Sequence, residues 1–160
     1  MKKAILILTV IIISNFSVNA QNNDDLNWIS SFKKAKEIAV SENKPILIFF
    51  TGSDWCGLCK MLDKDFFASE KFKKIAKKSF VLYKADFPRR TDIVSEIQKK
   101  ENTILDKKYS KTRGQRVFPT IVIVDANGKE IEFLESYNYI HDTSRHYKLI
   151  NYILKKYQTK

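Results

Sequence analysis

At 160 residues the chain has the length of one domain with room for a single core. Its 29 Lys and Arg against 18 Asp and Glu give a formal net charge of +11, a balance that invites nucleic acid as a partner. The densest basic stretch, 99–116, argues against that partner, because Glu101 and Asp106 interrupt it and Tyr109 alone does not make the interleaved aromatics of a base-stacking surface, so no nucleic acid is expected.

The N-terminus reads as a targeting segment. Lys2 and Lys3 precede an almost wholly apolar run, Ala4 to Ile13, and Val18-Asn19-Ala20 supplies the small residues that a signal peptidase reads. The run is too short to span a bilayer, and Asn15 and Asn19 interrupt any extension of it. These features predict a cleaved signal over 1–20 and a mature domain over 21–160, exported and then periplasmic or released. An uncleaved anchor is the alternative. No Cys lies near the cleavage site for lipid attachment, and the mature chain offers no membrane span. Removing Lys2 and Lys3 leaves 27 basic residues against 18 acidic, so the domain stays basic.

Within the domain, Asp24 or Asp25 is expected to cap a helix running to about Glu42, with Trp28, Phe32, Ala35 and Ala39 on one face. Pro45 to Phe50 is a continuous apolar strand suited to the centre of a sheet. A helix from about Cys56 turns Met61, Leu62 and Phe66 inward, and Ser69 caps a further piece presenting Phe72, Ile75 and Ala76. Phe80 to Phe87 is the next strand, parallel to the first through a right-handed crossover. A third helical stretch runs from Thr91 or Asp92 to about Tyr109, with Ile93, Ile97, Ile104 and Leu105 inward. After a polar loop, 110–116, comes a strand over 118–124, and Asp125-Ala126-Asn127-Gly128 signals a hairpin to an antiparallel strand over 129–134. The last helix, about 143–157, carries His146, Leu149, Ile150, Ile153, Leu154 and Tyr157 at helical spacing. No repeat, low-complexity tract or linker interrupts this order. An α/β domain with a mixed sheet and helices on both faces is the simplest packing.

The chemistry concentrates in one place. Both cysteines stand in Cys56-Gly57-Leu58-Cys59, just after the apolar strand and at the start of a helix. Amides at a helix N-terminus stabilise a thiolate on the first sulfur, and the second lies one turn away. A bridge over two intervening residues restricts little chain, which makes a structural staple a poor explanation and a redox pair a good one.

Trp55-Cys56-Gly57-Leu58-Cys59-Lys60 and Phe118-Pro119-Thr120, with the βαβ and ββα halves on either side, resemble the thioredoxin-like superfamily over essentially the whole mature chain. With Thr51-Gly52-Ser53-Asp54 and the export signal, the chain looks similar to envelope members related to the C-terminal domain of the transmembrane disulfide reductase. The resemblance implies the thioredoxin fold with an extra N-terminal helix, and an enzyme that exchanges thiols and disulfides. Cys56 would attack a client disulfide and Cys59 would resolve the mixed disulfide. Trp55 would cover the pair. Gly57 and Leu58 would tune it, and a cis Pro119 with its neighbours Phe118 and Thr120 would dock an extended client. Gly57-Leu58 carries no histidinium to stabilise the thiolate, which leans toward a reductase. The buried acid that many members carry in the strand before the motif is missing, since Ile48, Phe49 and Phe50 stand there; Asp54 is the remaining candidate for proton transfer. The expected partners are disulfide or dithiol client proteins and an envelope electron donor or acceptor. No cofactor beyond the Cys56–Cys59 pair and a monomeric state are expected.

Two other readings compete. Copper or zinc would take the cysteines as two ligands, with only His141 and His146, both distant in sequence, to add nitrogen; no metal site is expected. His146 reads as a hydrogen-bonded histidine at the core edge and His141 as an exposed loop residue. A non-catalytic binding module is the second, against which the intact motifs argue. Tyr83, Tyr137, Tyr139, Tyr147 and Tyr152 read as packing at the core edge.

Overall fold

The computed structural model describes residues 26–109 and 117–158. Strand β1 (Trp28–Ile29) leads into α1 (Phe32–Glu42), β2 (Ile46–Thr51), α2 (Gly57–Leu62), a π-helical turn (Asp63–Phe67) and α3 (Glu70–Ser79). Then follow β3 (Val81–Asp86), α4 (Glu96–Tyr109), β4 (Thr120–Val124), β5 (Glu130–Glu135) and α5 (Ser144–Gln158). The five strands form one sheet in the order β1-β3-β2-β4-β5. Strand β3 runs parallel to β2, while β4 is antiparallel to β2 and to β5, as expected from the helical crossover and the hairpin. This is the mixed sheet of the thioredoxin fold. The expected signal and cleavage site lie outside the described residues.

Central position explains why β2 is apolar throughout. Leu47 and Phe49 point into one core with Leu62, Phe66, Phe67, Phe72, Leu149, Ile150 and Ile153, from α2 to α3 and α5. Ile46, Ile48 and Phe50 point into the other, with Ala35 and Ala39 of α1 and Leu105 and Tyr109 of α4. Each such fully buried Leu, Ile or Phe contributes roughly 1.5–3 kcal/mol. Helices on both faces leave no polar side to the strand.

Local signals set the element ends. Ser31 caps α1 through the Lys34 amide, and Asn43, at φ 50°, closes it with its own amide on the Ala39 and Val40 carbonyls. Ser69 caps α3 as expected, accepting from the Phe72 amide at 3.2 Å. Gly128, at φ 78°, completes a turn whose Asp125 carboxylate accepts from the Asn127 and Lys129 amides.

Several expectations need correction. Trp28 is not on the first helix; it pairs with Leu82 as part of edge strand β1, and the helix begins only after Ser31. The helix expected from Thr91 or Asp92 begins at Glu96, and its buried residues are Asn102, Leu105 and Tyr109, while Ile93, Ile97 and Ile104 are exposed. Asn102 turns inward because both its side-chain nitrogen and oxygen find partners there: it donates to the Asp86 carbonyl and accepts from the Tyr83 hydroxyl. Tyr83 is therefore wholly buried, and Tyr139 and Tyr152 are exposed, so neither group packs at the core edge. His146 lies inside the core, against the rings of Phe66 and Tyr137, and its Nδ1 has no hydrogen-bond partner among the described residues.

Candidate functional site

Where β2 ends, the Gly52 carbonyl accepts the amides of Trp55 (3.2 Å) and Cys56 (2.8 Å), folding 52–56 into a tight turn. A Cβ on Gly52 would land on the Trp55 indole, so only glycine lets the ring lie across the turn. The turn is tied to β3 by Asp86, a buried carboxylate that accepts from the Ser53 amide at 2.9 Å and from the Ser53 hydroxyl. Asp86 is in turn linked through its carbonyl to Asn102 and Tyr83. Burial, with Glu101 nearby, holds the Tyr83 phenol well above its ordinary range, so it stays a donor.

Cys56 occupies the N-cap of α2, where its Sγ accepts the Cys59 amide at 3.2 Å. The two cysteines are joined as a disulfide, with Cα atoms 5.2 Å apart. Cys56 is 7% exposed and Cys59 1%, so Cys56 is the more accessible of the two. Gly57 is exposed and Leu58 half-buried beside them.

Trp55, 37% exposed, forms one wall. Its indole N–H donates to the Phe87 carbonyl at 2.8 Å, and its ring meets Phe118 edge-on at 5.6 Å. Phe118 also packs on Phe87 at 5.6 Å, and the Phe118–Pro119 peptide is cis. The proline loop, distant in sequence, is thus brought against the tryptophan of the dithiol turn. Pro119 and Thr120 are buried, the Pro119 carbonyl accepting from the Ser136 amide and the Thr120 hydroxyl donating to the Val117 carbonyl.

Asp54, the expected candidate for proton transfer, is engaged with the loop after β3. Its carboxylate accepts the Arg90 amide at 2.9 Å and the Arg89 amide at 3.1 Å, and these bonds, Arg90's first, hold it below the usual carboxylate range. It is a loop anchor. Lys60 folds back to donate to the Asp54 carbonyl at 2.9 Å. Asp86, Phe87, Arg89 and Asn102 were missed by the sequence reading. The one sign of them was a carboxylate closing a strand that is apolar but for Lys84.

The two histidines do not join the cysteines. His141 Nδ1 lies 2.6 Å from Asp65, which also accepts from Tyr137. Among the described residues no three His, Cys, Asp or Glu side chains gather as a metal set. Nor, among the described residues, is any helix long and apolar enough to cross a membrane.

Residues 32–148 match the family described as a thioredoxin-like domain, and the chain belongs to that family. It is 35% identical over 107 residues to the disulfide bond reductase DsbH of Chlamydia pneumoniae, covering 67% of this chain and 61% of DsbH, less than two thirds of that relative's length. A solved structure of a DsbH oxidoreductase superposes with a TM-score of 0.62 at 32% identity, covering 69% of this chain and 73% of that one. A thioredoxin of Borreliella burgdorferi is 28% identical over 113 residues, covering 71% of this chain and 80% of its own.

Proposed function

We propose that the protein is an exported thiol–disulfide oxidoreductase that works as a reductase of protein disulfides. The observation that carries this reading is Cys56 at the head of α2, its sulfur already accepting the Cys59 amide. The same N–H stabilises negative charge on that sulfur, which lowers the thiol pKa and makes Cys56 the nucleophile. Kinship with a protein named a disulfide bond reductase supports the direction.

In the dithiol form, the Cys56 thiolate attacks one sulfur of a client disulfide. A Cys56–client bond forms, the client S–S bond breaks, and its second sulfur leaves as a thiolate that takes a proton. Cys59 then attacks Cys56, releasing the other client thiol and restoring the Cys56–Cys59 disulfide. One client disulfide becomes two thiols, and the protein dithiol becomes a disulfide. An envelope dithiol donor must reduce it again. Trp55, Gly57, Leu58 and Phe118 make the client surface in this reading, with Pro119 and Thr120 setting the loop beneath. Asp54, its oxygens occupied by loop amides, anchors rather than carries the proton. Residues 1–20 direct export, the dithiol is the whole redox apparatus, and the chain acts as a monomer.

The test is the reduction potential of the purified chain, equilibrated in glutathione buffers. A value near about −270 mV is expected of a reductase, whereas one near about −120 mV would make it a disulfide-forming oxidant. Cys56→Ser should abolish client reduction and Cys59→Ser should accumulate the mixed disulfide. Full activity in Cys56→Ser would sink the mechanism.

A further inference from the structure

Two adjacent arginines flank the site and differ in one respect. The Arg90 guanidinium forks onto Asp92, with contacts of 3.1 and 2.6 Å. That of Arg89 lies 5.2 Å from the Trp55 ring centroid on the exposed rim, and no carboxylate pairs with it among the described residues. Its position is not left to chance, because Asp54 clamps the amides of both arginines and the Trp55 N–H holds the Phe87 carbonyl. Loop and tryptophan are therefore tied to the turn that carries Cys56. A guanidinium stacked on an aromatic face keeps its N–H edge free, and that edge matches a carboxylate.

We infer that Arg89 selects clients, by pairing with an Asp or Glu that flanks the client disulfide as it is drawn over Trp55. The inference rests on the oxidoreductase reading. The charges around the position favour an acidic partner. Lys60 of α2 reaches the Asp54 carbonyl, so three cations, Lys60, Arg89 and Arg90, stand against the two carboxylates Asp54 and Asp92, of which Asp92 is paired with Arg90. The mature domain's excess of basic residues, 27 against 18 acidic, steers acidic segments toward the protein in general, while Arg89 gives the steering an address at the reacting sulfurs. Because the pair forms at an exposed rim, the selection is modest, roughly three- to fivefold.

Two peptides enclosing the same disulfide loop, one with Glu and one with Gln beside the first Cys, test this. Their reduction by the dithiol form of the purified chain is timed at low salt, and each rate is divided by that with dithiothreitol to remove the peptides' own reactivity. The Glu peptide should be preferred about three- to fivefold, and the preference should shrink toward unity in about 1 M salt, where the screening length is only about 3 Å. Arg89→Gln should remove most of it, leaving only the part due to net charge, Arg89→Lys should keep more, and Arg89→Glu should lower it further. Equal rates in the unsubstituted chain, or a preference undiminished by Arg89→Gln, would overturn the role of Arg89 and leave the oxidoreductase reading standing. Failure to reduce either peptide would overturn both.

Discussion

Gly52 shows how much of the site depends on a single missing side chain. The Trp55 indole occupies the space a Cβ would need, and the same residue's carbonyl holds the Trp55 and Cys56 amides. Gly52→Ala is therefore expected to push the indole off the turn, costing about 1–3 kcal/mol of stability. Chemical denaturation and tryptophan emission would measure this, with client reduction slowed in parallel. An unchanged emission spectrum and stability would show that the turn has slack. That a glycine stands in this turn is legible from the sequence, whereas its reason depends on where the ring lies. Asp54 teaches the same lesson from the other side. Its position beside the motif suggests proton chemistry, and only the arrival of the 89–90 loop reveals an anchor.

Among the elements, those with local punctuation were the most legible. Ser69 announces α3, and its hydroxyl also lies 2.8 Å from the Tyr147 hydroxyl on α5, joining two helices at one cap. Ser69→Ala should cost about 1 kcal/mol or somewhat more through the lost cap, measured as a lower denaturation midpoint with an unchanged m-value. No loss would mean that water replaces both contacts. Helix α4 departs from its expected face for a physical reason. Hydrophobic spacing assigns Ile97, Ile104 and Leu105 inward; Leu105 is buried as expected, but Asn102 and Tyr109 pack beside it while the two isoleucines are exposed. A buried asparagine is acceptable only when Asp86 and Tyr83 supply its partners, and those arrive from a different strand. Strand β1 escaped notice because two residues carry no periodicity, and its pairing to β3 is what defines it.

For the molecule as a whole, His146 ties stability to pH. Burial, with Arg145 assisting, lowers its pKa from 6.5 to about 4, so the folded protein keeps the ring neutral. The unfolded chain binds a proton below about pH 6.5 and the folded one only near about 4. The stability present above pH 6.5 is thus lost progressively as pH falls toward 4, by up to about 3 kcal/mol from this group. Denaturation at pH 7 and 4.5 should show this loss, and His146→Leu should remove that part of it. A slope unaltered by the substitution would assign the acid sensitivity elsewhere.

The sequence by itself determined the fold class, the order of the main elements, the dithiol and the proline loop. These are written in short-range terms: an apolar run, a capped helix start, two cysteines at one-turn spacing, a turn signal at Asp125–Gly128. The tertiary structure alone decided which groups surround that dithiol. Asp86 and Phe87 come from the end of β3, Arg89 and Arg90 from the loop beyond, Asn102 from α4 and Phe118 from the approach to β4. Contacts among segments so far apart leave no periodic trace along the chain, because they depend on the parallel β2–β3 register that sets Thr51 opposite Asp86 and, for Phe118, on the antiparallel β2–β4 register that sets Phe50 opposite Thr120.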